Sequence, residues 1–313
     1  MVKKPHITVA GAINDDILAR SGQRLNLHDS NPGTVTRRIG GVGLNIARNL
    51  MLLGSDVRFI SAVGSGFREQ MLPDDGAGRL SAERIVHVPR YPSATYVALH
   101  GHDGDMTAAV SDMRIYDELD PACLAKAIAD VNVSDALVID ANLNDRTLFA
   151  VTDGVTVPIV CDPVSIAKST RIRPYLAKLS LFKPNAEEAG ALLGFPVQTI
   201  TDAMRAARAF IALGVGVVCL SLSRQGMILA DRREMIHVQG RPRRIENATG
   251  AGDAMLAALT FALCRGTNLR KMGELAVAAS LITLEHDEAV NPRLPDCFSE
   301  DVRGLVTIKP LYD

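Results

Sequence analysis

The chain has 313 residues, 47% apolar and 22% charged, with 34 Lys and Arg against 35 Asp and Glu for a formal net charge of −1. That balance leaves no basic footprint for nucleic acid, and 4% aromatics with no Trp removes the stacking surface of a single-strand binder. The five cysteines are odd in number, scattered and free of CxxC spacing, which argues against a disulfide framework or zinc site and fits a reducing cytoplasm.

Along the chain, apolar runs alternate with helix-like segments. The start, Met1-Val2-Lys3-Lys4-Pro5, is positive, but the apolar stretch after it meets Asn14-Asp15-Asp16 too soon for a signal peptide. Buried-strand patterns fall at 6–12, 57–63, 136–141, 158–161, 179–182 and 216–222, mostly continuous β-branched runs that suit a parallel sheet covered on both faces. Helical patterns fall between and after them, at 44–53, 121–130, 186–193, 202–213, 252–264 and 269–285. The longest helical apolar run, 254–264, is about half of what a bilayer requires, so a soluble protein is expected.

Two stretches break the rhythm. Residues 17–39 and 88–112 carry short alternating segments such as Thr95-Tyr96-Val97-Ala98-Leu99, with turns such as His102-Asp103-Gly104-Asp105. Alternation predicts antiparallel strands with one wet face. The fold class is therefore α/β, a doubly wound, mostly parallel sheet in one domain over 1–313, with a small inserted β-sheet as a lid. A few-stranded lid has unpaired edges and an apolar face it cannot cover alone, which predicts a homodimer through the lid.

The strongest chemical signal is Asn247-Ala248-Thr249-Gly250-Ala251-Gly252-Asp253, opening an apolar helix. The small residues Gly250, Ala251 and Gly252 let the backbone turn tightly, so their N–H groups converge where the helix dipole favours an anion. Asp253 in the first turn could accept a proton from an attacking hydroxyl beside a bound phosphate; it could equally be a helix cap. No Lys follows the glycines, so this is not a P-loop. The second signal is Gly40-Gly41-Val42-Gly43-Leu44-Asn45-Ile46-Ala47. Ile46 occupies the place of the third glycine of a dinucleotide fingerprint. The run either lets a sugar approach Gly41 and Asn45 or packs helix on strand closely.

Together, in this order and with Gly54 and Gly64 following, the two segments resemble the two signatures of the PfkB/ribokinase family of sugar and nucleoside kinases. That resemblance implies an ATP-dependent kinase with Mg²⁺, a ribokinase-like fold and Asp253 as general base. It places Asn14, Asp16, Gly41 and Asn45 on the sugar. Asn185 and Glu188 of Lys183-Pro184-Asn185-Ala186-Glu187-Glu188 match the family's Asn-x-x-Glu motif, with Glu188 toward the metal. Ser221, Ser223 and Gly226, after a buried strand, fall with Gly250 and Gly252 on the nucleotide. Asn247 stands where relatives carry an Asp for a monovalent cation, so K⁺ is left open. Ala248 and Ser65-Gly66 also depart from the family pattern.

Within the family, His28-Asp29-Ser30-Asn31-Pro32-Gly33, Ser111-Asp112-Met113, Asp140-Ala141-Asn142 and 161–168 are similar to the pseudouridine kinases, implying that Ser30, Asn142 and Lys168 meet a nucleoside. The alternatives are a kinase for another nucleoside or furanose sugar, and a catalytically silent ligand-binding regulator. Neither nucleic acid nor membrane is an expected partner.

Overall fold

The computed structural model describes residues 4–67, 72, 80–119 and 127–311. Among them, ten strands form a large sheet in the order β14-β13-β12-β11-β10-β9-β8-β1-β4-β5. Its parallel part contains β1 (His6–Ala10), β4 (Asp56–Ser65), β5 (Leu80–Pro92), β8 (Ala136–Asp140), β9 (Ile159–Asp162), β10 (Leu181–Phe182) and β11 (Val217–Ser221).

The continuous apolar strands are buried on both faces, as their composition requires. Val138 and Val160 enter one core, beneath the helices Val42–Leu52, Ala251–Cys264 and Leu269–Leu284. Leu137 and Ile139 enter the other, beneath Asp145–Asp153, Ala186–Leu193 and Ile200–Ala212. In that second layer Phe182 meets Phe210 edge to face, with centroids 5.3 Å apart.

Every buried-strand expectation for the large sheet is met within two residues, but the antiparallel continuation β12 (Met227–Ala230), β13 (Met235–Gly240) and β14 (Val306–Pro310) was not legible. β14 is half exposed and its pattern weak. The helix Asp145–Asp153 was also missed, although Asn144 caps it by accepting from Thr147 N at 2.8 Å. Of the expected helix 121–130, residues 121–126 lie outside the described residues, and 127–130 are helical.

A separate four-stranded sheet has the order β3-β2-β6-β7, with β2 (Asn14–Ser21), β3 (Gly33–Gly40), β6 (Thr95–His100) and β7 (Met106–Asp112). Two corrections follow. Residues 88–92 belong to β5, the edge strand of the large sheet, not to the small one. The chain then crosses between sheets through Ser93 and Ala94, whose carbonyl accepts from Asp15 N at 2.8 Å. Because β2 and β6 both leave the large sheet in the same direction, they pair parallel, not antiparallel. The 102–105 run forms the β6–β7 turn, with Gly101 N bonded to Asp105 O at 2.9 Å.

Strand register separates the small sheet's faces. Ile17, Val97 and Val110 lie in one row, and Val35, Ala19, Leu99 and Ala108 in the next row on the same face. Asp16, Tyr96 and Ser111 occupy the opposite face.

Candidate active site

β1, β8, β9, β10 and β11 run parallel, so their carboxyl ends open on one edge of the sheet, where ligands bind in open α/β folds. The chain returns from the small sheet through Gly40 into the helix Val42–Leu52 at that edge. Gly41 has φ 107°, and a Cβ there would stand 2.4 Å from Ala12 O. A Cβ on Gly43 would meet Gly11 Cα at 2.8 Å, so helix and strand turn touch backbone to backbone. The packing reading of these glycines therefore holds, and its result is to present Asn45 to the cleft.

The Asn247–Asp253 segment arrives from the other side. Asn247 Oδ1 accepts from Thr249 N at 2.9 Å, and Gly250 takes a left-handed φ of 83°. A Cβ on Gly250 would lie 2.0 Å from Ala289 O, so only glycine fits. The first-turn amides of the helix Ala251–Cys264 have no intrahelical acceptor, Ala251 N–H reaching only Ala248 O at 3.5 Å, and a helix start of this kind suits an anion.

Asn45 Nδ2 donates to Asp253 Oδ2 at 2.9 Å, joining the two glycine-rich segments. Removal from water pushes the Asp253 carboxyl up to about 7; Asp162 and Asp140 add to the rise, while Asn45 and Lys183 oppose it. A carboxyl poised there holds or releases a proton near neutrality.

Asp16 lies on β2, opposite Arg38 of β3. Gly40 makes room for it, because a Cβ there would be 2.2 Å from Asp16 Oδ2. Burial, with help from Asp15, pushes its carboxyl up to about 7. Asn14 Oδ1 and Asp16 Oδ1 are buried acceptors with no hydrogen-bond donor. Such atoms carry a cost that a donor group, such as a sugar hydroxyl, removes.

At the end of β8, Asp140 accepts from Ala12 N at 2.8 Å and Asn142 N at 2.9 Å, tying the β1 turn to the Asn142 turn. Burial raises the Asp140 carboxyl to about 6. Asn142 is buried and its Oδ1 accepts from Lys168 Nζ at 2.5 Å. Burial pulls the Lys168 ammonium down from its ordinary range, with Asp140 opposing. Asn142 and Lys168 are thus brought together at the end of β8.

Asn185 and Glu188 form a capping box: Asn185 Oδ1 accepts from Glu188 N, and Glu188 Oε2 from Asn185 N, each at 2.8 Å. These two bonds are those of an ordinary helix start. Glu188 is nevertheless buried at the cleft, and burial and Asp162 raise its carboxyl to about 7. Ser221 lies beside Asn185, its N–H bonded to Pro184 O at 3.0 Å. Ser223 is left-handed at φ 53°, and a Cβ on Gly226 would be 2.1 Å from Val238 O, so this turn is shaped by its own packing.

Ser30 is elsewhere. It lies in the loop joining the Ser21↔Gly33 end of the β2–β3 hairpin, seven steps from Asn14↔Gly40. That is about 23 Å along the strand at ~3.3 Å per residue. Its N–H bonds Asp29 Oδ1 at 2.7 Å within an exposed loop.

The residues missed by sequence reasoning are Asp162, Lys183 and Asp140. Lys183 Nζ pairs with Asp162 Oδ2 at 2.9 Å, both side chains 7% exposed, at the ends of neighbouring strands. The available signal was Lys183 itself, opening the motif whose Asn185 and Glu188 drew attention instead.

An acid in the first turn of a glycine-opened helix, with unpartnered buried acceptors on Asn14 and Asp16, suits a phosphotransferase acting on a hydroxyl group. The pfkB family carbohydrate kinase profile matches residues 4–297, and the chain belongs to that family. It is 31% identical over 297 residues to the pseudouridine kinase of Escherichia coli (strain K12), covering 94% of this chain and 95% of that one. It is 28% identical to the guanosine-inosine kinase of Exiguobacterium acetylicum, covering 88% and 94%. The ribokinase of Arabidopsis thaliana, solved with ribose and ATP, superimposes with a TM-score of 0.83 at 20% identity, covering 95% and 99%. The fold is ribokinase-like, and among the described residues no helix is long and apolar enough to cross a membrane.

Proposed function

We propose that the protein transfers the γ-phosphoryl group of ATP to the 5′-hydroxyl of pseudouridine. The observation that carries the chemistry is the Asn45–Asp253 bond, which holds a carboxyl of raised proton affinity at the mouth of an anion-binding helix. Asp253 takes the hydroxyl proton as the oxygen bonds to the γ-phosphorus. The bond from that phosphorus to the bridging oxygen breaks, and ADP leaves with its electron pair. The N–H groups of Gly250, Ala251 and Gly252 hold the charge on the transferred group.

Asn14 and Asp16 accept from ribose hydroxyls through the oxygens that lack donors, while Gly41 and Asn45 border the reacting end. Asn142 and Lys168 face the base. The place of Ser30 in this reading rests on the resemblance of its segment to pseudouridine kinases. Ser221, Ser223 and Gly226 border the nucleotide beside Asn185. Closure of the small sheet keeps water from the phosphoryl group.

Among the described residues no group of three or more His, Cys, Asp or Glu is arranged to hold a metal. Mg²⁺ does not need such a cage, since it usually keeps waters and binds phosphate oxygens with one or two carboxylates. Glu188, with one oxygen engaged by Asn185 N, fits that outer role through the other. When bound, Mg²⁺ would supply charge neutralisation on the β- and γ-oxygens. K⁺ fits less well: Asn247 offers an amide in place of a carboxylate, and its Nδ2 already donates to Asp287 O at 2.9 Å.

The substrate is supported by 31% identity to a pseudouridine kinase over nearly the whole chain. The test is a phosphorylation panel with Mg-ATP across pseudouridine, uridine, guanosine, inosine and ribose. The highest kcat/KM is expected for pseudouridine. A higher value for any other member moves the assignment to that substrate.

A further inference from the structure

Between Ala10, where β1 ends, and Asn14, where β2 begins, the chain passes from the large sheet to the small one. The backbone of that passage is tied down step by step. Gly11 N–H donates to Ile60 O at 3.1 Å, and Ser61 Oγ donates to Gly11 O at 2.7 Å. Ala12 N–H donates to Asp140 at 2.8 Å, and Ala12 O accepts from Leu44 N–H at 3.1 Å. Ile13 follows, buried and paired in neither sheet. Its N–H and C=O would be costly to leave without partners there.

One hydroxyl serves both groups. Tyr116 Oη accepts from Ile13 N–H at 2.7 Å and donates to Ile13 O at 2.8 Å. Tyr116 is 1% exposed, in the 3₁₀ turn Arg114–Glu118 that follows β7, so it joins the chain entering the small sheet to the chain leaving it. Its own carbonyl accepts from Asn144 Nδ2 at 2.7 Å, at the start of the helix Asp145–Asp153. Phenylalanine would fill the same space in the core, so the hydroxyl is there for the Ile13 backbone. The residue next to that clamp is Asn14, whose buried Oδ1 has no donor.

We propose that Tyr116 is a positioning residue for the phosphoryl acceptor: its hydroxyl fixes the Ile13 backbone and thereby sets the Asn14 side chain against the ribose. The inference rests on the placement of Asn14 on the sugar given above, and the experiment separates the two. A hydroxyl that only stabilises the fold acts on both substrates alike. One that acts through Asn14 changes the acceptor side, and its effect disappears when Asn14 is gone.

KM for the acceptor and for ATP is measured on the full chain for the wild type, Tyr116→Phe, Asn14→Ala and the double variant. The acceptor is whichever member of the panel above the wild type phosphorylates best. Tyr116→Phe is expected to raise the acceptor KM about tenfold, the worth of one or two hydrogen bonds, and to leave the ATP KM within about twofold. In the Asn14→Ala background the same change should add less than about twofold, because the group it positions is gone. Asn144→Ser keeps a capping oxygen for Thr147 N–H but drops the amide on Tyr116 O. It should raise the acceptor KM in the same direction, and it decides the matter should Tyr116→Phe not fold. An unchanged acceptor KM, an equal rise in both KM values, or a rise as large without Asn14 as with it overturns the positioning role. An Asn14→Ala enzyme with a wild-type acceptor KM overturns the placement of Asn14 on the ribose as well.

Discussion

Asn45 and Asp253 are 208 residues apart in sequence and joined by a 2.9 Å hydrogen bond from Nδ2 to Oδ2. That bond links the glycine turn that opens the helix Val42–Leu52 to the one that opens the helix Ala251–Cys264. A group arranged in this way can be removed without disturbing either turn, because the turns depend on backbone packing at Gly41, Gly43 and Gly250.

Asp253→Asn is therefore expected to fold, bind nucleotide and lose about 10²–10⁴ in kcat, the range for a missing general base. The cap reading predicts the opposite pattern, spared chemistry with a stability loss of up to ~2 kcal/mol. Steady-state kinetics and thermal unfolding on one preparation decide between them.

The raised carboxyls also set pH dependence. With Asp253 at about 7, kcat/KM should fall roughly tenfold per unit as pH drops below that value, because the base becomes protonated. A profile flat down to pH 5 would remove Asp253 from the proton transfer.

Stability runs the other way. Asp16, Glu188 and Asp253 are raised to about 7 and Asp140 to about 6, so the folded state keeps protons that the unfolded chain loses near pH 4. Their contribution is fully present below pH ~4 and is lost as pH rises to about 7. Urea midpoints of the ligand-free protein should decline across that interval, and Asp253→Asn should flatten part of the decline. Midpoints that rise steadily from pH 4.5 to 7 would contradict this.

The small sheet exposes one apolar face, with Val35 69%, Val97 39% and Val110 71% exposed. We expect two such faces to pack together in a homodimer. Light scattering should give a dimer for the wild type and a monomer for Val97→Arg/Val110→Arg. A monomeric wild type at micromolar and higher concentrations removes the idea.

Lys168 bonds Asn142 at 2.5 Å in a partly buried setting, and a charged ammonium can only donate. Lys168→Ala should raise KM for pseudouridine and leave KM for ATP nearly unchanged. Since pseudouridine and uridine share a shape, their separation must come from an unmatched polar group, about ten- to a hundred-fold in kcat/KM. Equal values in the wild type would sink the pseudouridine assignment and spare the kinase.

Local requirements were legible in the sequence. The positive φ at Gly41 and Gly250 is a local demand that favours glycine, so the two glycine-rich segments stood out in the sequence, while the close approaches to Ala12 and Ala289 were visible only in the fold. The buried parallel strands were legible for the same reason, because a strand covered on both faces must be apolar along its length. The Asn185–Glu188 spacing was read for its motif, and the capping box it forms emerged only in the structure. What only the tertiary structure decided was which distant polar groups share one space. Asp162 and Lys183 sit on neighbouring strands, Asp140 ties two turns together, and Ser30 ends up at the far end of a hairpin from Asp16. The parallel pairing of β2 with β6 likewise depends on where β5 leaves the large sheet. Pairings between separate elements, such as that of Ala12 with Asp140 across 128 residues, leave no period or cap in either segment. They follow from strand order, and strand order is settled by how the whole set of apolar faces is buried.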